Sequence, residues 1–330
     1  MGLNVIYCTC VSVMMTLAVI TSLLAVFLVG LYSTNANDQS VENNRPIIGV
    51  LAETLPAKRS QYGQYYIAAS YVKFIESAGG RVVPIFPNAT SDDILKIFNY
   101  INGVLFPGGG VSLTESGYAK NGKLFYELSV KAFDEGVTFP VLGTCLGFEL
   151  LNVITSDDKV VLSHVDAENL PTPLIFAEGF KESRMFSNAP EHLLKSIQDS
   201  SITMNNHHWG VTPENFQNNK NISSFYNVIS TNKDREGKIF VSTIEGKRYP
   251  IYGLQWHPEK NQFEWSPRES IPHSPEAIEL GQYIANFIVG QARLNNHKFP
   301  SPEEEAAALI YNYNPMYTGS FSNFTQMYFF

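Results

Sequence analysis

The stretch FPVLGTCLGFELLNVI, residues 139–154, decides the fold class of this chain. Its first four residues form a short apolar run typical of a buried strand, and the residues after Cys145 have the pattern of a helix. Cys145 itself has a glycine two positions before it and another two positions after it. Small neighbours are needed where a side chain is presented on a tight turn, and the helix directs its N-terminal partial positive charge at that side chain. The stretch therefore predicts a strand–turn–helix unit that presents a reactive thiol, with a buried structural cysteine as the alternative.

Strand-like and helix-like segments alternate around this unit. Apolar runs predict strands at 46–52, 81–86, 103–106 and 139–142, and helical spacing predicts helices at 65–78, 92–100, 124–135 and 146–154. Such alternation predicts an α/β fold with a doubly wound, mostly parallel sheet and helices on both faces. Functional sites in these sheets lie at the carboxyl ends of the strands.

The second half of the chain is rich in strands. These are predicted at 201–204, 226–231, 239–244 and 250–255, where they would extend the same sheet, and a helix is predicted at 275–293. No long linker interrupts the pattern. We therefore predict a single domain over residues 37–330.

Composition excludes several classes of protein. Of the 330 residues, 44% are apolar and 16% are charged, and the formal net charge is -8. This is the composition of a globular chain rather than a disordered one. Because nucleic-acid binding depends mainly on clustered Lys and Arg, we do not expect nucleic acid as a partner.

An apolar stretch without charge, VSVMMTLAVITSLLAVFLVGL, occupies residues 11–31. Thr34 and Ala36 are small residues at the positions that a signal peptidase reads, so we predict a signal peptide over residues 1–36. An uncleaved membrane anchor is the alternative, since about 20 apolar residues can span a bilayer. Cleavage would remove Cys8 and Cys10 and leave Cys145 as the one thiol of the mature chain.

Three Asn-X-Ser/Thr triplets agree with a secretory route. They are candidate glycosylation sites, and each is a weak signal because such triplets arise by chance. Their asparagines are Asn88, Asn221 and Asn323.

A thiol nucleophile needs a base, and His257 is the best-placed histidine. It lies in GLQWHPE, residues 253–259, directly after an apolar strand, and so at the same sheet edge as Cys145. Glu259, held close by Pro258, can accept a hydrogen bond from the imidazole nitrogen that does not face sulfur. The alternative is a histidine of an ordinary turn beside a solvated glutamate.

The segment PGGG, residues 107–110, also follows a predicted strand. Glycine-rich backbone at Gly108 and Gly109 can turn N–H groups toward a developing negative charge, and the N–H of Leu146 would complete an oxyanion hole. A plain tight turn is the alternative. Phosphate binding is disfavoured because no Walker lysine follows, and metal binding because His207 and His208 are adjacent instead of one helical turn apart.

These motifs together identify a resemblance. GTCLGFELL, LFPGGG, QWHPEK and YYIAASYVKFIESAGGRVVP closely resemble the γ-glutamyl hydrolase family, the folate-polyglutamate-trimming members of the class I glutamine amidotransferase-like group. The Cys and His-Pro-Glu motifs are shared by the whole group, whereas SRMF at 183–186 and ALIYNYNPMYTG at 308–319 look specific to the hydrolases. The resemblance implies that Cys145 is the nucleophile, that His257 is its catalytic partner and that His207 and Trp209 belong to the active site.

The resemblance also implies a reaction and its setting. The expected substrate is a folate poly-γ-glutamate, cleaved through a γ-glutamyl thioester without a cofactor, by a homodimer in a lysosome, a vacuole or the extracellular space. Glu149, one helical turn after Cys145, is a further site candidate. Arg184 and Lys181 are candidates for binding substrate carboxylates. The alternative functions are a glutaminase of the amidotransferase type and a non-catalytic member of the same fold.

Overall fold

Strand pairing organises the chain around one large sheet. The computed structural model describes residues 42–157, 159 and 161–330. The predicted signal peptide over residues 1–36, with Cys8 and Cys10, lies outside the described residues. Within them, none of the helices has both the length and the apolar run that crossing a bilayer requires.

The strands of the described residues are β1 (Ile47–Leu51), β2 (Glu53–Thr54), β3 (Tyr65–Ala68), β4 (Arg81–Ile85), β5 (Gly103–Phe106), β6 (Val141–Thr144), β7 (Ser163–Thr172), β8 (Ile175–Phe176), β9 (Thr203–Gly210), β10 (Tyr226–Lys233), β11 (Ile239–Gly246), β12 (Ile251–Leu254), β13 (Met316–Tyr317) and β14 (Gln326–Phe329). The helices are α1 (Ala69–Ser77), α2 (Ser91–Phe98), α3 (Gly117–Asp134), α4 (Leu146–Thr155), α5 (Glu191–Asp199), α6 (Pro213–Asn218), α7 (Lys220–Phe225), α8 (Lys260–Phe263), α9 (Pro275–Ala292) and α10 (Pro302–Ala308).

The main sheet has eight strands in the order β4-β1-β5-β6-β12-β11-β10-β8. The first five are parallel neighbours, and the pairs from β12 to β8 are antiparallel. Parallel neighbours require crossover connections, which helices supply. The predicted α/β fold with a mostly parallel sheet and a strand-rich second half is confirmed.

Both faces of this sheet are covered by helices. Alternate residues of β1 divide between two hydrophobic clusters, with Ile48 and Val50 on one face and Ile47 and Leu51 on the other. The first cluster takes in residues of α1 and α9, and the second takes in residues of α2, α3 and α4. Burial on both faces explains why the central strands are apolar throughout and do not alternate with polar residues.

Three predicted segments differ from the structure. The helix predicted at 65–78 begins only at Ala69, because Tyr65–Ala68 forms β3 between β2 and the C-terminal strand β14. The strand predicted at 201–204 is longer and pairs with β7 in a separate two-stranded sheet instead of extending the main one. The helix predicted at 124–135 begins at Gly117, where the Ser116 side chain accepts the N–H of Ala119 as an N-cap.

The turn between β6 and α4 depends on close backbone approach. A methyl group on Gly147 would lie 2.1 Å from the carbonyl oxygen of Phe106, at the end of β5. A methyl group on Gly143 would lie 2.5 Å from the carbonyl oxygen of Gly147. Both glycines are therefore required for α4 to pack against the sheet directly after Cys145.

Replacing Gly147 by alanine tests this requirement. Because the obstacle is backbone, we expect Gly147→Ala to lower the free energy of unfolding by about 2 kcal/mol, measured by urea denaturation. Gly290→Ala on α9 is the matched control, since a methyl group there meets no atom within 4 Å. It should raise stability by about 0.5 kcal/mol, and an equal effect of both changes would contradict the packing argument.

Candidate active site

Cys145 lies on a sharp turn at the carboxyl end of β6. Its backbone has φ 53° and ψ -106°, in a region that residues other than glycine rarely adopt. The Cys145 N–H donates to the carbonyl of Leu254 at 2.8 Å, which ties the turn to β12. Its Sγ lies 3.9 Å from the carbonyl oxygen of Asn206 on β9, and the residue is 6% exposed. The predicted strand–turn–helix unit is present, with the thiol at its apex.

Burial dominates the electrostatics of the thiol. It raises the pKa of Cys145 well above its ordinary value, and the carboxyl groups of Glu149 and Glu259 raise it further. Lys260 and the N–H of Leu146 act in the opposite direction but do not outweigh burial. The helix N-terminus alone therefore does not produce the thiolate, and a neighbouring base is needed.

His257 is held beside this thiol by β12. Its N–H donates to the carbonyl of Met204 at 2.8 Å, and its Nδ1 lies 2.7 Å from Oε1 of Glu259. Because a carboxylate oxygen only accepts, Nδ1 donates in this contact, and in the neutral imidazole Nε2 is the nitrogen that can accept a proton. A methyl group on Gly108 would lie 2.8 Å from Cε1 of His257 and 3.1 Å from Cβ of Cys145, so both side chains lie next to this glycine and only glycine leaves room for them. The structure thus brings Cys145, His257 and Glu259 together.

The glycine loop at 107–110 is held by two buried side chains. Gly108 donates its N–H to the hydroxyl of Tyr71 at 2.7 Å, and Gly110 donates its N–H to Oε2 of Glu53 at 3.1 Å. The intervening N–H of Gly109 has no acceptor among the described residues. A methyl group on Gly109 would overlap the Glu53 carboxyl group, at 1.4 Å. The loop therefore leaves one N–H available beside Cys145.

Tyr71 also contacts the catalytic candidates. Its hydroxyl lies 3.3 Å from Nδ1 of His257. Burial, together with the nearby Glu259 and Cys145, raises the pKa of Tyr71 well above its ordinary value, so the hydroxyl keeps its proton. One side chain of α1 therefore joins the glycine loop to the histidine.

Two cavities meet at Cys145. The larger one, of about 500 Å³, is lined by Gly109, Gly110, Val111, Leu113, Thr114, Cys145, Leu146, Glu149, Leu162, Asn206, His207, His208 and Trp209. The smaller one, of about 250 Å³, is lined by Tyr66, Gly108, Gly109, Cys145, Asn206, His257, Lys260, Glu269, Asn323 and Phe324. We call these the large cavity and the small cavity. Three residues line both of them: Gly109, Cys145 and Asn206.

His207 projects from β9 into the large cavity. Its Nδ1 lies 2.7 Å from the carbonyl oxygen of Trp209, and its Nε2 lies 3.3 Å from Oδ1 of Asn205. Burial lowers the pKa of His207 to about 3. The imidazole of His207 is therefore neutral over the pH range in which an ordinary histidine titrates. Trp209, two residues further along β9, lies at the rim of the large cavity and is 50% exposed.

Glu149 lies on the wall of the large cavity. Gln255 donates to its Oε1 at 3.2 Å, and burial raises the pKa of Glu149 to about 8. Glu53 behaves similarly, with a pKa raised by burial to about 7. Both carboxyl groups are therefore protonated in mildly acidic solution.

The structure does not bring Arg184 or Lys181 to either cavity. Arg184 donates to Glu245 at 3.2 Å and to the carbonyl groups of Gly246, Arg248 and Tyr249. Its guanidinium is thus used to hold the end of β11. Lys181 pairs with Glu191 at 2.6 Å on the surface. The expectation that these cations bind substrate carboxylates is not supported by their positions.

Sequence reasoning missed several residues around Cys145. Lys260 and Glu269 form an ion pair of 2.7 Å with side chains that are each 2% exposed, in the wall of the small cavity. Lys260 directly follows the His-Pro-Glu motif, and this position in the sequence could have indicated that it lies near the active site. Tyr71 and Glu53 carried none, because Tyr71 fits the apolar face of a helix and Glu53 stands alone after a strand.

The three candidate glycosylation sites are exposed. Asn88 precedes α2, Asn221 lies on α7, and Asn323 lies at the rim of the small cavity. Asn323 donates its side-chain amide to Glu269 at 3.0 Å. Among the described residues, no three His, Cys, Asp or Glu side chains converge on a point that could hold a metal ion.

The shifted pKa of Glu149 predicts how stability changes with pH. The unfolded chain releases this proton near pH 4.5, whereas the folded chain keeps it until about pH 8, so stability falls as the pH rises between those values. We expect Glu149→Gln to reduce the loss of unfolding free energy between pH 5 and pH 8 by on the order of 3 kcal/mol. Urea denaturation at both pH values measures this. The exposed Glu127→Gln is the control, and an unchanged pH dependence in Glu149→Gln would refute the assignment.

Comparison with known proteins places the chain in a family. The family described as Peptidase C26 matches residues 46–259. The chain is 44% identical to the gamma-glutamyl hydrolase of Mus musculus over 318 residues, which are 96% of this chain and 100% of the mouse protein. It is 49% identical to the gamma-glutamyl hydrolase of Homo sapiens over 288 residues, covering 87% of this chain and 90% of the human one. Among solved structures, the glutaminase domain of Trypanosoma brucei CTPS is similar over 77% of this chain and 96% of its own, at 13% identity and a TM-score of 0.48. The identity and coverage of the two hydrolases confirm the predicted family, and the chain belongs to the γ-glutamyl hydrolases of the peptidase C26 family.

Proposed function

We propose that this chain is a cysteine hydrolase that cleaves the γ-glutamyl bonds of folate poly-γ-glutamates through a γ-glutamyl thioester. The observation that carries the proposal is the meeting of Cys145, His257 and Glu259 at one sheet edge, with the 2.7 Å contact between His257 and Glu259 leaving Nε2 of the histidine for the thiol. Family membership supports the bond that is cleaved.

The first half of the reaction forms the thioester. Nε2 of His257 takes the proton from the Cys145 thiol, whose pKa is raised by burial, as its sulfur attacks the γ-carbonyl carbon. The resulting oxyanion accepts hydrogen bonds from the N–H groups of Gly109 and Leu146. His257 then gives its proton to the leaving nitrogen, the carbon–nitrogen bond breaks, and an amine leaves.

The second half hydrolyses the thioester. His257 takes a proton from water, whose oxygen attacks the thioester carbon. The tetrahedral intermediate uses the same two N–H groups. It collapses by breaking the carbon–sulfur bond, and the proton held on His257 returns to sulfur. Glu259 keeps the imidazole in one tautomer throughout, because its carboxylate accepts from Nδ1.

The cellular location and the oligomeric state also belong to this proposal. The predicted signal peptide over residues 1–36 and the exposed sequon asparagines support a secretory route, ending in a lysosome, a vacuole or the extracellular space. The family resemblance supports a homodimer. N-terminal sequencing of the protein recovered from its compartment distinguishes a cleaved signal peptide from an uncleaved anchor.

Loss of the thiol tests the reaction. The purified protein should release glutamate or its γ-linked oligomers from a folate poly-γ-glutamate, and Cys145→Ala should lower kcat by about 10⁴-fold or more. Chromatography of the products measures this. Glutamine is offered in parallel, because release of ammonia from glutamine without cleavage of the folate substrate would indicate a glutaminase. Inactivity of the intact protein on both substrates over a broad pH range would show a non-catalytic member of the fold.

Tyr71→Phe tests whether the tyrosine positions the glycine loop. Without the hydroxyl, the Gly108 N–H loses its acceptor and the loop is free to turn, so we expect kcat to fall roughly tenfold with little change in KM. Tyr226→Phe is the control, since its buried hydroxyl bonds to Thr155 away from both cavities. Equal kcat values for the two variants would show that the Tyr71 hydroxyl has no part in the reaction.

A further inference from the structure

We propose that the small cavity binds the leaving side of the scissile bond, and that Glu269 and Asn323 make it specific for a leaving glutamate residue. This inference rests on the proposed function, because it assigns the two sides of the bond that Cys145 attacks. The large cavity then holds the acyl side, with the folate portion of the substrate.

The position of the histidine decides between the two cavities. In acyl transfer the imidazole protonates the leaving nitrogen, so the leaving group must lie on the histidine's side of the sulfur. Cys145 lines both cavities, whereas His257 lines the small cavity and is absent from the lining of the large one. The amine produced by bond cleavage therefore departs through the small cavity.

The walls of the small cavity match the charges of that amine. A leaving γ-linked glutamate carries an α-carboxylate on the same carbon as its nitrogen. Lys260 lies in this wall. Its ammonium group has three N–H donors, and one of them donates a hydrogen bond to Glu269 at 2.7 Å. The remaining protons can be donated to a carboxylate. Because the ion pair is buried, it keeps this geometry before any substrate binds.

The carboxylate of Glu269 accepts hydrogen bonds from three segments of the chain that line the small cavity. Its Oε2 accepts from Lys260, and its Oε1 accepts from the side-chain amides of Asn206 at 2.9 Å and Asn323 at 3.0 Å. These donors come from α8, from β9 and from the loop before β14. The carbonyl group of Asn206 contacts the sulfur of Cys145. Glu269 thus fixes the distance between the ammonium group of Lys260 and the reacting sulfur.

The large cavity has a different character. Among the described residues its lining contains no Lys or Arg, and it has an apolar portion formed by Val111, Leu113, Leu162 and Trp209. Its buried titratable groups, Glu149 and His207, are both uncharged in mildly acidic solution, since the pKa of Glu149 is raised to about 8 and that of His207 lowered to about 3. A neutral, partly aromatic cavity suits the pteroyl group, which belongs to the acyl side of the substrate, whereas the buried ammonium group lies at the small cavity.

Two substrates with the same acyl group and different leaving amines distinguish effects on the leaving side of the bond from effects on the acyl side. The first is pteroyl-γ-glutamyl-glutamate, and the second carries the same acyl group on 7-amino-4-methylcoumarin, an amine without carboxylates. We expect Glu269→Gln to lower kcat/KM by about tenfold or more for the first substrate, and Asn323→Ala by about fivefold. Asn323→Ala should stay within about twofold of the parent protein for the coumarin substrate, and the loss caused by Glu269→Gln should be about fivefold smaller on that substrate than on the first. The full chain is produced in a host that does not attach N-glycans, so that Asn323 keeps the free side-chain amide that donates to Glu269.

Trp209→Ala is the matched control on the large cavity. It should lower kcat/KM for both substrates by the same factor, because both place the same group there. Equal losses on both substrates for Glu269→Gln and Asn323→Ala, or no loss on either, would overturn the assignment. If Glu269→Gln does not fold, Asn323→Ala decides alone, since Asn323 is an exposed residue. Inactivity of the parent protein on both substrates would instead refute the proposed function.

Discussion

The approach of α4 to the end of β5 is the constraint on which the site depends. The backbone of Gly147 passes so close to Phe106 that a single methyl group would meet its carbonyl oxygen at 2.1 Å. This contact forces the sharp turn that leaves Cys145 in a left-handed backbone conformation, with φ 53°. Strain of this kind persists only where the surrounding structure holds it, here through β6, β12 and the helix itself. The packing of α4 against β5 therefore holds Cys145, the nucleophile of the proposed reaction, in a fixed position.

Burial governs the charges around that sulfur. It raises the pKa values of Cys145, Glu149 and Glu53, and it lowers that of His207 to about 3. Each shift favours the uncharged form, as desolvation requires. The ion pair between Lys260 and Glu269 is the exception in the wall of the small cavity, where two opposite charges at 2.7 Å compensate one another. Charge is thus concentrated on the side of the sulfur that faces His257.

Much of the fold could be predicted from the chain alone. The parallel strands and the helices α1, α2, α4 and α9 were anticipated because apolar runs and helical spacing are local patterns. Two of the three errors occurred where partners distant in sequence decide the conformation, and the third concerned the start of α3, where the local N-cap at Ser116 was missed. Tyr65–Ala68 forms a strand because β14, some 260 residues later, pairs with it. β9 leaves the main sheet because β7 pairs with it instead.

The same distinction applies to the site. Cys145, His257, Glu259 and the glycine loop follow from the sequence, since each lies directly after an apolar strand and the carboxyl ends of parallel strands share one edge. Their neighbours Tyr71, Glu53 and Glu269 do not follow from any local pattern. A tyrosine on a helix face or a single glutamate in a loop has no signature until packing brings it against Gly108, Gly110 or Lys260. The sequence by itself identified the residues that carry the proposed chemistry. Tertiary structure alone decided which side chains hold them and how the space around the sulfur is divided, because burial and hydrogen bonding between distant segments exist only in the folded chain.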